Sequence, residues 1–371
     1  MKKMDYIIVG SGFFGAVLAE RLRQHGKRVL VLEKRDHIGG NCHSSVYKDT
    51  NIIVHTYGTH IFHTSNATVW KYINQFTEFN RYQHRVLTTH RDKVYTLPIN
   101  LATINSFYSV NLKPQEVAAF LTKKKQPCAN PRNLEEKAIS LVGRDLYRAF
   151  IRGYTMKQWG CDPRELPAEI IERLPVRTDY FDSYYDDCYQ GLPVRGYTAI
   201  FENMLRGIPV ELNTDFFADR EKWRKHCDCL IYTGPLDRYF DYSVGKLRWR
   251  SVRFERETIP REDFQGTSVM NYADEDIPYT RIHEPKHLHR ERRYRPKQTV
   301  IIREFACADE NEPYYPVNST ADQESVRRYQ QLVRKETNVI FGGRLAGYKY
   351  YDMHCVIAAA LTQFERLRKR R

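Results

Sequence analysis

The chain has no apolar run of about 18 residues or more, so nothing in it is long enough to cross a bilayer as a helix. Met1–Asp5 leads straight into the apolar stretch Tyr6–Val9, without the basic and cleavage regions of a signal peptide. The eight cysteines (Cys42, Cys128, Cys161, Cys188, Cys227, Cys229, Cys307 and Cys355) form no CxxC pair. Cys227 and Cys229 are too close to make a structural zinc site by themselves. Free thiols in a reducing cytoplasm are the expectation, and no metal centre is expected. There is no internal repeat and no low-complexity segment. A long basic tract is also missing: the net charge of +14 is scattered, apart from Lys123–Lys125, Arg290–Arg293 and the tail Arg366–Arg371. A balance of that sign suits an acidic partner, whether nucleic acid, an anionic membrane or a phosphorylated metabolite. The cluster His283, His287, His289 beside Arg290–Arg293 reads as a solvated loop.

What the chain does have is length and apolar content. Its 371 residues, 42% hydrophobic and 13% aromatic, predict two or three packed domains. Its 26 tyrosines suit wet clefts, because each offers an apolar face and a hydroxyl.

Tyr6–Val9 reads as a strand buried on both faces, Phe14–Gln24 as a helix, and Val29–Leu32 as a second buried strand. Gly10-Ser11-Gly12-Phe13-Phe14-Gly15 lies between the first strand and the helix, and Glu33 closes the second strand 18 residues after Gly15. Strand, glycine turn, helix and acid together are the context that makes GxGxxG a dinucleotide fingerprint. Gly10 permits the turn, Gly12 admits a pyrophosphate, Gly15 lets helix and strand pack closely, and Glu33 accepts from ribose hydroxyls. Lys34 to Asn41 continue with Gly39-Gly40, similar to the acid-x5-Gly-Gly stretch of two-dinucleotide-binding flavoproteins. That resemblance implies FAD rather than NAD. Gly342-Gly343-Arg344 before the last helix is similar to the segment with which that class covers its flavin.

Further along, Arg85–Thr89 and Val94–Leu97 predict a hairpin. Leu134, Ala138, Leu141, Val142, Leu146, Phe150 and Ile151 recur at helical spacing after Asn133, a residue suited to cap the helix. Leu247–Phe254, Thr267–Tyr272 and Thr299–Phe305 predict an antiparallel sheet.

Seven segments, in order, resemble the UDP-galactopyranose mutase family over about residues 4–364. They are Tyr57-Gly58-Thr59-His60-Ile61-Phe62-His63-Thr64, Gly153-Tyr154-Thr155-Met156-Lys157-Gln158-Trp159-Gly160, Leu174-Pro175-Val176-Arg177, Asn271-Tyr272, Pro278-Tyr279-Thr280-Arg281-Ile282, Glu312-Pro313-Tyr314-Tyr315-Pro316 and Tyr348-Lys349-Tyr350-Tyr351-Asp352-Met353-His354. The resemblance implies an α/β fold: a discontinuous Rossmann-like FAD-binding domain (1–66, 206–243, 333–371), a helical domain with a mobile substrate loop (100–177), and an antiparallel sheet substrate domain (67–99, 178–205, 244–332). It implies interconversion of UDP-galactopyranose and UDP-galactofuranose, with N5 of reduced FAD as the nucleophile, for cell-surface polysaccharide synthesis. It also implies a homodimer and a reductant such as NAD(P)H.

Residue by residue, the resemblance places Arg173 and Arg281 on the pyrophosphate, where a planar fork of donors suits two phosphates. Tyr184, Tyr315 and Tyr350 would donate to phosphate oxygens. Tyr154 would stack on uracil, with Phe150 beside it as core and ligand wall together. Trp159 would lie near the sugar on the mobile loop, with Thr155, Arg250 and Asn271 also toward substrate. His63 would sit between flavin and sugar, and His60, Ile61, Gly343, Arg344, Tyr350, Asp352 and Met353 would line the cofactor. Where the family commonly has asparagine near the sugar this chain has His84, which leaves galactose, its N-acetylated analogue and other UDP- or dTDP-sugars as alternatives. An amine-oxidase-type flavoenzyme shares the N-terminal fingerprint but would need an apolar tunnel. A nucleic-acid-binding protein would have no use for Glu33 and two glycine pairs.

Overall fold

The computed structural model describes residues 3–173, 175–294, 297–308 and 312–369, without the side chains of Asp49, Glu172, Arg173 and Thr320. Among these residues five parallel strands form one sheet in the order Val339–Phe341, Cys227–Tyr232, Met4–Val9, Val29–Leu32, Val210–Glu211. The two N-terminal strands are apolar at successive positions because both faces of the sheet are covered. Ile7, Leu30 and Leu32 pack with Phe216, Trp223 and Tyr239 on one side. Ile8, Val29 and Val31 pack on the other with Phe14, Val17 and Leu18 of the helix Phe13–Gln24 and with Ile357 and Phe364 of the helix Met353–Lys369. The strand order reverses at Met4–Val9, and a doubly wound sheet opens a ligand crevice at the carboxyl end of such a switch point. The predicted α/β class is the one observed.

A second sheet runs in the order Tyr315–Pro316, Trp249–Ile259, Thr299–Cys307, Arg281–His283, Val269–Tyr272, Val86–His90, Lys93–Leu97. It is antiparallel except where Val269–Tyr272 pairs parallel with Val86–His90. That pair joins distant parts of the chain, so no tight turn dictates its direction. The predicted hairpin is there, with Arg91 and Asp92 both at positive φ, as its two-residue turn requires.

The helical layer has its own core, built on Leu101, Val117, Leu134, Leu146 and Phe150. Asn133 caps Leu134–Val142 as expected, its side chain accepting from Glu136 N–H at 2.9 Å. The apolar period from Leu134 to Ile151 is nevertheless not one helix. Gly143 breaks it at φ +84, where a Cβ would lie 2.6 Å from the Lys124 carbonyl oxygen. Beyond the break a π-helical turn, Tyr147–Arg152, runs into the helix Gly153–Trp159. Among the described residues no helix is long and apolar enough to cross a membrane, and all eight cysteines are free thiols.

Candidate active site

Two cavities meet beside the helix Met353–Lys369. The first, about 700 Å³, is lined by Gly10, Gly12, Phe14, Gly15, Glu33, Lys34, Gly39, Gly40, Asn41, His60, Gly343, Arg344 and Met353, among others. Its glycines divide their work. Gly10 sits at φ +101, and a Cβ on Gly15 would lie 2.1 Å from the Gly10 carbonyl oxygen, so both are required by the turn itself. A Cβ on Gly12 would meet nothing within 4 Å, because that face opens on the cavity. Gly40, at φ +54, faces Gly12 from the opposite side. Gly12 is also the N-cap of Phe13–Gln24 and offers no side chain. The first N–H groups of that helix therefore point their partial positive charge at whatever enters.

Glu33 is buried at the head of this cavity. Its carboxylate accepts from Ser11 N–H (3.0 Å), Ser11 O–H (2.6 Å) and Arg35 N–H (3.1 Å). Arg35 bridges to Asn41 Oδ1 (3.0 Å) and Glu312 (2.6 Å) and covers the Tyr57 ring. Cys42 lies in the same wall, and burial pushes its thiol up to about 12, so it is no thiolate at neutral pH. Trp249 also lines the cavity, with a buried Nε1–H that has no partner among the described residues.

The second cavity, about 530 Å³, shares His60, Arg344 and Met353 with the first. One wall is apolar: Leu97, Ile99, Leu141, Val142, Phe150 and Ile151. The other is polar and aromatic: His63, His84, Tyr154, Tyr184, Asn271, Arg281, Tyr315 and Tyr350, with Ile61 and Asp352 beside them. Arg281 lies opposite Glu304 in the strand register, its Nε 3.0 Å from Glu304 Oε1, and its Nη2 donates to the Tyr154 hydroxyl at 2.5 Å. Asn271, paired with Arg281 on the next strand, carries a buried Oδ1 that no group among the described residues satisfies. Tyr315 and Tyr350 stack at 5.3 Å beneath the Arg344 guanidinium.

Three titratable groups have their charge state set by their surroundings. Burial opposes ionisation of Glu304, but the Arg281 charge and the His283 hydrogen bond outweigh it and hold the carboxyl at about 2. Burial, reinforced by Arg281, His283 and His63, takes His84 down to about 3, so a neutral imidazole faces the cavity, bonded through Nδ1 to the Tyr82 hydroxyl at 3.0 Å. Asp187 is lowered against burial by hydrogen bonds from His63 and Ser65. It lies 2.5 Å from His63 Nδ1, which makes Nδ1 the donor and leaves Nε2 for the cavity. The His63 ring stacks on Tyr185 at 3.6 Å.

Some expected residues stand elsewhere. Thr155 is buried, Trp159 packs against the helical core, and Arg250 donates to the carbonyls of Gln158 (3.0 Å) and Lys157 (3.4 Å); none of the three lines either cavity. The Arg173 side chain lies outside the described residues. The histidine cluster is not a solvated loop. His283 and His289 are 1% and 0% exposed, the first bonded to Glu304 and the second to Glu291. His287 does meet Asp263 and Glu284 closely, but Lys286 places its ammonium 3.3 Å from Asp263 and 3.8 Å from Glu284, so that cluster carries its own cation.

Glu304 and Tyr185 of the second cavity, and Asp187 behind His63, went unread in the sequence, and His283 was read as part of a solvated loop. Glu304 left one usable signal, a charge at an inward position of an alternating strand whose neighbours Ile302 and Val300 are buried.

The family model described as UDP-galactopyranose mutase matches residues 149–350, and that of the NAD(P)-binding Rossmann-like domain matches residues 8–76. The chain is 40% identical to a "Probable UDP-galactopyranose mutase" of Klebsiella pneumoniae, covering 97% of this chain and 94% of that one. It is 39% identical to the dTDP-fucopyranose mutase of Escherichia coli, over 96% of each, and 33% identical to the UDP-galactopyranose mutase of Mycoplasma genitalium, over 99% and 95%. Among solved structures, that of a reduced UDP-galactopyranose mutase superposes with a TM-score of 0.76 at 15% identity, over 99% of this chain and 96% of the other.

Proposed function

Because the chain belongs to the UDP-galactopyranose mutase family, we propose that it interconverts the pyranose and furanose forms of a nucleotide-linked sugar, UDP-galactose in the first instance. FAD would occupy the first cavity and the sugar nucleotide the second. The observation that carries this reading is the junction: a dinucleotide cavity opens at His60, Arg344 and Met353 into a second cavity that holds a half-buried arginine and a row of tyrosines.

The first cavity fits a dinucleotide on its own evidence. The open face of Gly12, the opposed Gly40, the uncapped helix and the unpartnered Trp249 N–H all offer room or donors. Glu33 would take the ribose hydroxyls, and Gly343 and Arg344 would close the far side. Reduced flavin supplies a nucleophilic nitrogen for an anomeric carbon, with no net change of oxidation state.

The chain's own residues do the rest. Arg281, with Arg173 as a second candidate, would take the diphosphate as it leaves the sugar. Its guanidinium is already oriented by Glu304 and Tyr154, so little reorganisation is needed when charge develops. Tyr184, Tyr315 and Tyr350 would donate to the remaining phosphate oxygens. The apolar wall with Phe150 excludes water and suits a pyrimidine face. His84 and the unsatisfied Asn271 Oδ1 offer neutral polar contacts to sugar hydroxyls, and His63 sits at the cofactor junction in a tautomer held by Asp187.

The 39% identity to a dTDP-fucopyranose mutase supports a second reading in which the substrate is a dTDP-sugar. One assay addresses both. Protein reduced with dithionite is incubated with UDP-galactofuranose and, separately, with dTDP-fucofuranose, and products are separated by chromatography. Pyranose product from the UDP-sugar, absent under air with oxidised protein, is expected. Equal turnover by oxidised protein would refute the mechanism, and turnover of the dTDP-sugar alone would replace the substrate.

A further inference from the structure

Lys157 lines neither cavity and has had no part in the reading above, yet its surroundings are specific. The helix Gly153–Trp159 rests on the turn that joins the strands Val269–Tyr272 and Arg281–His283. A Cβ on Gly153 would stand 2.3 Å from the Ala273 carbonyl oxygen, so only glycine lets the helix come this close. One turn further, the Lys157 ammonium donates into the same turn, to the carbonyl oxygens of Tyr272 (2.7 Å), Asp274 (2.7 Å), Ile277 (3.0 Å) and Tyr279 (3.2 Å). Two of the turn's three carboxylates are engaged elsewhere: Asp274 with His90 and Arg91 N–H, and Glu275 with Arg152. The lysine therefore holds backbone, and it holds the whole turn at once.

Both ends of that turn enter the second cavity. Asn271 directly precedes Tyr272, Arg281 follows Tyr279 by two residues, and the two are register partners. Tyr154, next to Gly153 on the docked helix, reaches Arg281 at 2.5 Å. We propose that Lys157 is a positioning residue: by gathering four carbonyls around one charge it sets how the helix seats on the turn, and so sets Tyr154 against Arg281 and Asn271 for a nucleotide diphosphate. The inference rests on the sugar-nucleotide reading of that cavity.

The gathering depends on charge, because a neutral amine has fewer donors and no field to hold four oxygens. Burial takes the ammonium down to about 8 against the pull of Asp274, Asp276 and Glu275. Arg152, paired with Glu275, and Arg250, donating to the Lys157 carbonyl, are the nearby cations, and His90 is bonded to Asp274. Below that value the clamp is charged and closed; above it the charge is lost and the seat loosens.

The test measures UDP and dTDP binding by the purified protein carrying its cofactor. Lys157→Met should weaken UDP binding at least about tenfold, the scale of one charge-assisted hydrogen-bond network, with cofactor content unchanged and partial rescue in Lys157→Arg. Adding Tyr154→Phe to Lys157→Met should cost less than about twofold more, because the tyrosine's contribution depends on the seat. In the wild type, UDP affinity should fall between about pH 7 and 9.5 with a midpoint near 8, and the fall should vanish in Lys157→Met. Unchanged UDP binding by Lys157→Met, or fully additive losses in the double variant, would overturn the proposal. If Lys157→Met does not fold, the wild-type titration decides, and a flat profile overturns it. Wild-type protein that binds neither nucleotide would overturn the reading of the cavity and the role of Lys157 together.

Discussion

Replacing Glu304 with glutamine removes one negative charge from the polar wall while keeping shape and an acceptor. The carboxylate is 4% exposed and stands between the Arg281 guanidinium, 3.0 Å away, and the His283 Nε2–H, 2.9 Å away. Two routes give the cost. Its folded value of about 2 lies below the 4.5 of an ordinary glutamate, and at about 1.4 kcal/mol per tenfold the difference is worth roughly 3.5 kcal/mol. Independently, breaking a buried ion pair by removing one partner costs about 3–5 kcal/mol, because the other charge stays buried and unpaired. The sign follows from the lowered value: the stabilisation is present above about pH 4.5 and is lost as pH falls toward about 2. Urea unfolding followed by tryptophan fluorescence measures it. Glu304→Gln should be about 3.5 kcal/mol less stable at pH 7 and should lose about that much less than the wild type between pH 4.5 and 2, where the other lowered carboxylates still act. A variant within about 0.5 kcal/mol of wild type at pH 7 would show that Arg281 is compensated by solvent, not by Glu304.

Two further outcomes follow from the same geometry. Gly12→Ala should fold with near-wild-type stability but lose cofactor on dialysis, since its new methyl enters only the cavity, whereas Gly15→Ala should be unstable because its methyl meets the Gly10 carbonyl; thermal melts and flavin absorbance of both variants separate the two effects, and a stable, fully loaded Gly15→Ala would contradict the turn's role. Asp187→Asn should leave UDP affinity within about twofold and lower turnover of the reduced protein about ten- to a hundredfold, because a charge-assisted bond of about 1.5–3 kcal/mol orients His63; wild-type turnover would place His63 outside the chemistry.

How much of this was legible depended on how local each device is. Gly10, Gly12, Gly15 and Glu33 sit within one strand–helix–strand unit, so spacing alone carried their geometry, and the structure puts them around one cavity. Arg281 and Glu304 are 23 residues apart and meet only through a register that no pattern in either strand announces. The histidine cluster was misjudged because Arg290, Glu291 and Arg293 are exposed while the His283 and His289 rings are buried. Arg250 was expected toward substrate, but it satisfies carbonyls at the end of the helix Gly153–Trp159, where unpaired acceptors are expected.

Gly153 is the most instructive case. It brings the helix Gly153–Trp159 against Ala273, and Lys157 then grips the turn through carbonyls alone. A partner made of backbone leaves no residue type to recognise, so a lysine of this kind looks like any surface lysine in the sequence. The same logic explains why the polar wall was read as a set of separate ligand contacts. Its arginine is held by Glu304 within the cavity, and the turn that carries this arginine and Asn271 is held by Lys157 from outside it. Substitutions at Gly153 or Lys157 should therefore act on nucleotide binding from outside the site they alter.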